Sequence, residues 1–200
     1  MKNLAVLIST GGTGTNLQAI IDAIEKKELN ANIAVVASDS TKAAGLIRAK
    51  KYHLPIEIVD KTTDLVKLLR EKYAVDYVCL AGWKLIIPDS FIKNFEDKIL
   101  NIHPGLIPDT IDGVVKNPDG TKALWNRGKF TDKAIQQFLD LKSTYAGSTV
   151  HFLSHEFDIG RVLGRVFEKI LPNDTVESVY SRLKIKENQL YVDTLKTLCN

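Results

Sequence analysis

Five short apolar runs, each followed by residues of helical period or by turn residues, set the architecture of this chain: Leu4–Ile8, Ile33–Ala37, Ile56–Val59, Tyr77–Leu80 and Lys98–Ile102. Runs this short and this apolar, bounded by turns, read as strands buried on both faces, and helices between them make βαβ units. The pattern predicts an α/β fold with a single open, mostly parallel, doubly wound sheet and helices on both faces. The first helix is expected from about Asn16, with Leu17, Ile20, Ile21 and Ile24 on one face. A third follows Thr63-Asp64, with Leu65, Leu68 and Leu69 as its stripe. Helical period returns at Thr131, where Ala134, Ile135, Phe138 and Leu139 share a face. Two strand-like runs follow, Ser148–Leu153 and Arg161–Ile170, and give the sheet an antiparallel C-terminal strand. The last helix starts at Asp174, an N-cap with Glu177 three residues on.

Two hundred residues suit one domain, here 1–200, with a long loop or lid inserted at about 105–130, where Pro, Gly, Asp and Asn interrupt every period. A hydrophobic fraction of 44% with 26% charged residues excludes a disordered chain, collagen and a membrane bundle. The net charge of +3 comes from interspersed acids and bases, so no nucleic-acid tail is expected, while anionic small substrates are favoured. The first apolar run is too short for a signal peptide, and Cys79 and Cys199 are far apart with no CxxC. A cytoplasmic protein is expected, without membrane or nucleic-acid partners, as a monomer or weak homodimer.

Ser9-Thr-Gly-Gly-Thr-Gly-Thr-Asn16 joins the first strand to the first helix. Such a turn points backbone N–H groups at one anion, and the helix N-terminus adds partial positive charge. A P-loop is excluded because no Lys-Ser/Thr follows. A dinucleotide fingerprint is half present: Gly12 and Gly14 fit, Leu17 holds the third glycine position, and Asp39 is the sole acidic candidate after strand two. A monophosphate cradle fits best, with a plain strand-to-helix turn as the alternative.

At the end of the fifth run, strand alternation puts Asn101 and His103 on one side. An amide there can donate to an oxygen that gains charge, and an imidazole can donate or move a proton. Taken alone, a strand-end His-Pro is equally a capped turn. Asp158, in Phe157-Asp158-Ile159-Gly160, is ordinary turn chemistry or the acid that orients the imidazole and raises its pKa. His151, His155 and Glu156 lack dense ligand spacing, so no metal is expected and solvated or hydrogen-bonded histidines are. On the last helix Tyr180, Leu183, Leu190 and Tyr191 define an inward face that also carries Glu187. That carboxylate sits at the rim, pairs with Arg182 or Lys184, or binds a ligand hydroxyl.

In combination these segments resemble the folate-dependent phosphoribosylglycinamide formyltransferases over nearly the whole chain. The matching blocks are Leu7-Ile-Ser-Thr-Gly-Gly-Thr-Gly-Thr-Asn-Leu-Gln-Ala-Ile-Ile21, Leu80-Ala-Gly-Trp-Lys-Leu-Ile86, Ile99-Leu-Asn-Ile-His-Pro-Gly-Leu-Ile-Pro108, Gly147-Ser-Thr-Val-His-Phe152 and Asp158-Ile-Gly160. The resemblance implies a Rossmann-like fold and transfer of a formyl group from the cosubstrate 10-formyltetrahydrofolate to the primary amine of glycinamide ribonucleotide in purine synthesis. It implies Asn101 and His103 at the formyl oxygen, Asp158 sustaining the protonated imidazole and helping to remove the amine proton, Gly14, Thr15 and Asn16 at the substrate phosphate, and Glu187 at the ribose. For the folate it implies Asn101 with two walls, Trp83, Lys84, Leu85, Ile86 and Ile87, and Leu153, His155 and Phe157.

The chain departs from that pattern in three places. The short folate loop is replaced between Pro108 and Gly147 by a longer segment with Trp125-Asn-Arg-Gly and a helix. Gly105 stands where Ser is usual, and Thr15 where Ser often contacts phosphate. Lys184 replaces a polar residue of the substrate-side helix. Sugar-nucleotide N-formyltransferases keep the Asn, His and Asp set and remain open. So does a nucleotide-binding Rossmann module without transferase chemistry.

Overall fold

The computed structural model describes all 200 residues, in two compact units: residues 1–101 with 195–200, and residues 102–194. The strand order is β3-β2-β1-β4-β5-β6-β7. This is the open, mostly parallel sheet with an antiparallel C-terminal pair that the pattern of runs predicts.

In the first unit β1 (Lys2–Ile8) pairs in parallel with β2 (Ala31–Ser38) on one side and β4 (Tyr77–Leu80) on the other. β3 (Ile56–Ile58) extends β2, and β5 (Ile99–His103), which runs on into the second unit, extends β4. Leu4 to Ile8 are all buried because β1 is central and covered on both faces. Helix α1 (Thr15–Glu25) buries Leu17, Ile20 and Ile21, while α2 (Gly45–Lys51) buries Leu46 and Ala49. The third helix is short: α3 (Leu65–Lys67) is capped by the Asp64 carboxylate at 3.0 Å and passes into a π-helical turn, Leu68–Lys72. The wider turn rotates the expected stripe, so Leu69 alone is fully buried. α4 (Asp89–Asn94) adds Phe91 and Ile92, and Phe91 stacks on Phe95 with centroids 4.9 Å apart.

In the second unit β6 (Tyr145–Phe152) and β7 (Val162–Lys169) form an antiparallel pair with a bulge at Val150/His151. Ile135 and Phe138 of α5 (Thr131–Asp140) pack with Ala146, Val179 and Leu183 into one core. Helix α6 (Val176–Cys199) buries Val179, Leu183, Glu187, Tyr191 and Leu195, an unbroken i, i+4 row. Val179 heads this row; Tyr180, expected on it, lies half-buried to its side.

The cap of α6 also differs from expectation. Thr175 Oγ1 accepts from Ser178 N at 3.2 Å, and Ser178 Oγ accepts from Thr175 N at 2.9 Å, which closes a reciprocal cap one residue after Asp174. Asp174 is drawn instead to Arg182, whose guanidinium holds it well below the usual carboxylate range. Thr175→Ala is expected to lower stability by about 1 kcal/mol, the usual cost of losing a cap hydroxyl. Urea unfolding at constant m-value measures it, and no change in midpoint would return the cap to Asp174.

Candidate active site

In the first unit the glycine-rich turn leaves β1 and enters α1 through Gly14, which caps the helix in the left-handed region at φ 72°. Glycine carries that φ without strain, and a Cβ there would lie 2.8 Å from Gly45 Cα. The first helical hydrogen bond runs from Gln18 N to Gly14 O, so the amides of Thr15, Asn16 and Leu17 have no acceptor within the helix. Arg48 reaches the turn, with Nε 3.4 Å from Thr13 O. Lys84, expected in a folate wall, has its Nζ 2.7 Å from where a Cβ on Gly11 would stand. Its N–H donates to Ser9 Oγ, which donates in turn to Asp39 Oδ2. Asp39 therefore props the turn and its neighbour rather than standing clear for a ribose.

Trp83 and Ile87 are half-buried, while Leu85 and Ile86 are exposed, Ile86 at 87%. Asn101 is half-buried on β5, two residues before His103.

In the second unit His103 lies at the end of β5 and is 3% exposed. Its Nδ1 is 3.5 Å from Asp158 Oδ1, and its Nε2 lies 2.8 Å from the Trp125 carbonyl oxygen. Both ring nitrogens thus face protein acceptors. Burial pulls the imidazole below its ordinary pKa, against the charge of Asp158 and its hydrogen bonds to the backbone at Trp125 and Asn126. Asp158 is itself buried, and Gly128 N donates to its Oδ2 at 2.6 Å. Its backbone is left-handed, φ 50°, a conformation that Asp tolerates better than most residues.

Leu153 is half-buried, and His155 and Phe157 are exposed. His151 is fully buried rather than solvated, with Nδ1 3.0 Å from Phe152 O. Glu187 is 3% exposed and doubly engaged: Ser148 Oγ donates to one carboxylate oxygen, and Lys184 Nζ to the other at 3.0 Å. Burial works against the Lys184 ammonium, but Glu187 and Tyr180 outweigh it and raise its pKa. Of the three readings the sequence left open for Glu187, the ion pair with Lys184 is present, and Arg182 turns away to Glu168 and Asp174.

The segment that touches the His–Asp pair most closely, Trp125 to Gly128, stood out in the sequence only as a departure from the family pattern and not as part of the site. One signal pointed there: Gly105, on which a Cβ would stand 1.8 Å from Trp125 O and 2.8 Å from His103 Nε2.

A buried imidazole–carboxylate pair at the end of a strand in an open α/β sheet is the equipment of an acid–base group-transfer enzyme. The chain belongs to the formyl transferase family, whose pattern covers residues 2–195. It is 36% identical to a phosphoribosylglycinamide formyltransferase of Dictyostelium discoideum, over 98% of this chain and 97% of that one. With the enzyme of that name from Haemophilus influenzae the identity is 34%, over 98% of this chain and 86% of the other. Among solved structures, glycinamide ribonucleotide transformylase 1 from Symbiobacterium toebii superposes with a TM-score of 0.84 at 31% identity, covering all of this chain and 88% of its own.

Burial, with His103 nearby, lowers the His151 pKa from 6.5 to about 4. Between those values the unfolded chain holds a proton that the folded chain does not, so stability is complete above pH 6.5 and declines as pH falls toward 4. His151 alone contributes a slope of up to about 1.4 kcal/mol per pH unit, and His103 adds in the same direction. Urea midpoints between pH 7.5 and 4.5 are expected to fall, less steeply in His151→Gln; equal slopes would contradict the assignment.

Proposed function

We propose that the chain transfers a formyl group from 10-formyltetrahydrofolate to the primary amine of 5'-phosphoribosylglycinamide. The observation that carries this reading is the buried His103–Asp158 pair at the end of β5, in a family member at 36% identity to an enzyme of that name. The amine attacks the formyl carbon, the carbonyl oxygen gains charge in a tetrahedral intermediate, and the C–N bond to the folate breaks. One proton leaves the amine and one reaches the departing nitrogen. Asp158 helps to take the first, and the Asn101 amide and the His103 imidazolium donate to the charged oxygen.

The sequence resemblance also had His103 donating to the formyl oxygen. With Nδ1 3.5 Å from Asp158 Oδ1, we assign Asp158 to sustaining the imidazolium and helping to remove the amine proton, and His103 to the formyl oxygen beside Asn101. For the ribonucleotide we assign Gly14, Thr15 and Asn16 to the phosphate, supported by the free first-turn amides and the two cations at the turn. Glu187 is assigned to the ribose hydroxyls, a role that requires its contact with Ser148 or with Lys184 to give way. For the folate we assign Trp83 to Ile87, Asn101, Leu153, His155 and Phe157, supported by apolar side chains left exposed, among them Leu85, Ile86 and Phe157. The cytoplasm is the proposed compartment, consistent with the absence of any helix long and apolar enough to cross a membrane.

The reading is tested in a spectrophotometric assay with 10-formyl-5,8-dideazafolate as donor, comparing glycinamide ribonucleotide with amino-sugar nucleotides. Formylation of the former alone is expected, and preference for an amino sugar would reassign the acceptor. His103→Ala and Asp158→Asn are each expected to lower turnover at least about a hundredfold. Near-normal rates in both would remove the pair from the chemistry.

A further inference from the structure

Two glycine turns meet in the first unit. The turn after β1 carries Gly11 and Gly14 in the left-handed region, and the turn after β4 carries Gly82, on which a Cβ would stand 3.9 Å from Gly12 Cα. The lack of side chains on both turns lets the backbones approach. One hydroxyl ties them: Ser9 Oγ accepts from Lys84 N at 3.0 Å and donates to Asp39 Oδ2 at 2.8 Å. Lys84 is thus held at the glycine-rich turn by its main chain.

Its side chain lies back over that turn. A Cβ on Gly11 would stand 2.7 Å from Lys84 Nζ and 3.7 Å from its Cε, so the end of the lysine fills the space that a side chain on Gly11 would take. No protein acceptor draws it there: Lys84 is exposed, and its ammonium makes no hydrogen bond or ion pair. The other cation of the turn is already engaged, since Arg48 gives Nε and Nη2 to Thr13 O, each at 3.4 Å, and Nη1 to Gln18 Oε1 at 3.0 Å. In the first turn of α1, Asn16 is 4% exposed and its Oδ1 has no partner. A buried carboxamide with an idle end marks a place that a ligand completes, and turning the amide over puts a donor there. Asp39 Oδ1 is also buried without a partner, so a carboxylate tied to the turn through Ser9 works against any anion that enters. The amides of the helix N-terminus carry partial charge, and a full positive charge offsets that carboxylate.

We propose that Lys84, although it stands among the residues assigned to the folate, serves the other substrate: its ammonium closes the glycine-rich turn over the phosphate of the ribonucleotide. Its main chain stays in the folate wall and its side chain does not. The ligand chemistry is that of a phosphate monoester, which carries roughly two negative charges at neutral pH and is matched by one ammonium and a helix N-terminus. Arg48 braces the turn, and Lys84 binds. The inference rests on the phosphate assignment made within the formyl-transfer reading, but the binding itself is measured without a formyl donor.

The experiment is calorimetric titration of the whole protein with ribose 5-phosphate and, separately, with 10-formyl-5,8-dideazafolate. Lys84→Met, which keeps the length and loses the charge, is expected to bind ribose 5-phosphate roughly 10- to 100-fold more weakly, the range for one charge-assisted hydrogen bond, and to bind the folate analogue as the wild type does. Lys84→Arg, which keeps the charge, is expected to retain most of the affinity. In formylation assays Lys84→Met should raise KM for glycinamide ribonucleotide with kcat unchanged, the signature of binding energy common to ground and transition states. In the wild-type protein ribose 5-phosphate is expected to protect Lys84 from acetylation by acetic anhydride, read by mass spectrometry; absence of protection overturns the proposal whether or not the variants fold. Unchanged ribose 5-phosphate affinity in Lys84→Met overturns it too, as does weakened binding of the folate analogue alone, which returns the side chain to the folate wall. If ribose 5-phosphate binds in a Lys84-dependent way while no ribonucleotide is formylated, the formyl-transfer reading fails and the phosphate ligand stands. If formylation proceeds with the same KM in Lys84→Met, the reverse holds.

Discussion

Parallel pairing is the constraint on which the remainder of the first unit depends. When β1, β2, β4 and β5 all run the same way, every strand-to-helix turn falls at one edge, and each helix entering there brings unpaired amides with it. The turn after β1 could not be a site without Gly14, whose left-handed φ opens the helix against Gly45. The same edge receives the turn after β4, which explains how Lys84, distant in sequence, comes to stand over Gly11 and to be tied through Ser9 to Asp39. Strand order thus converts remote segments into neighbours.

The second unit solves a different problem, that of keeping an imidazole and a carboxylate out of water. Burying the pair is costly unless each polar atom has a partner. Here the partners are chiefly main-chain groups of a segment that has almost no regular structure: Trp125 O for the ring and Gly128 N for the acid, with the indole on the Asp158 backbone. Main-chain partners are available only because Leu124 is anchored in the core and Gly105 lacks a side chain. An insertion that reads by composition as a loop or lid is, in this sense, part of the packed surroundings of the reacting groups. Composition reports how many turns a segment contains, not how well those turns are packed.

The charged residues of α6 show where pattern reading stops. Asp174 has the right residue type for an N-cap, and Glu177 the right spacing, yet Thr175 and Ser178 form the cap because Arg182 offers Asp174 a stronger, charge-assisted bond from two turns further on. The buried row begins at Val179 rather than Tyr180 for a similar reason: the facing surface is that of α5 and β6, and only its shape decides which of two adjacent side chains fits. Glu187 was visible as a carboxylate on an apolar face. Its binding to Ser148 was not, since the two are joined by strand-to-helix packing and not by any local rule.

What the sequence by itself determined is the set of quantities carried by local chemistry and period: the runs that become parallel strands, the glycine turn that opens α1, the presence of Asn101, His103 and Asp158 in an order shared with a known family, and the inward Glu187. Periodicity and backbone preference act over a few residues, so a few residues suffice to read them. Tertiary structure alone decided which atoms of those residues are engaged. That His103 gives Nε2 to a carbonyl and turns Nδ1 to Asp158 depends on Trp125 arriving from 22 residues away. Hydrogen bonds between segments are selected by how the chain packs, and a residue's type says what it can donate or accept but not from whom.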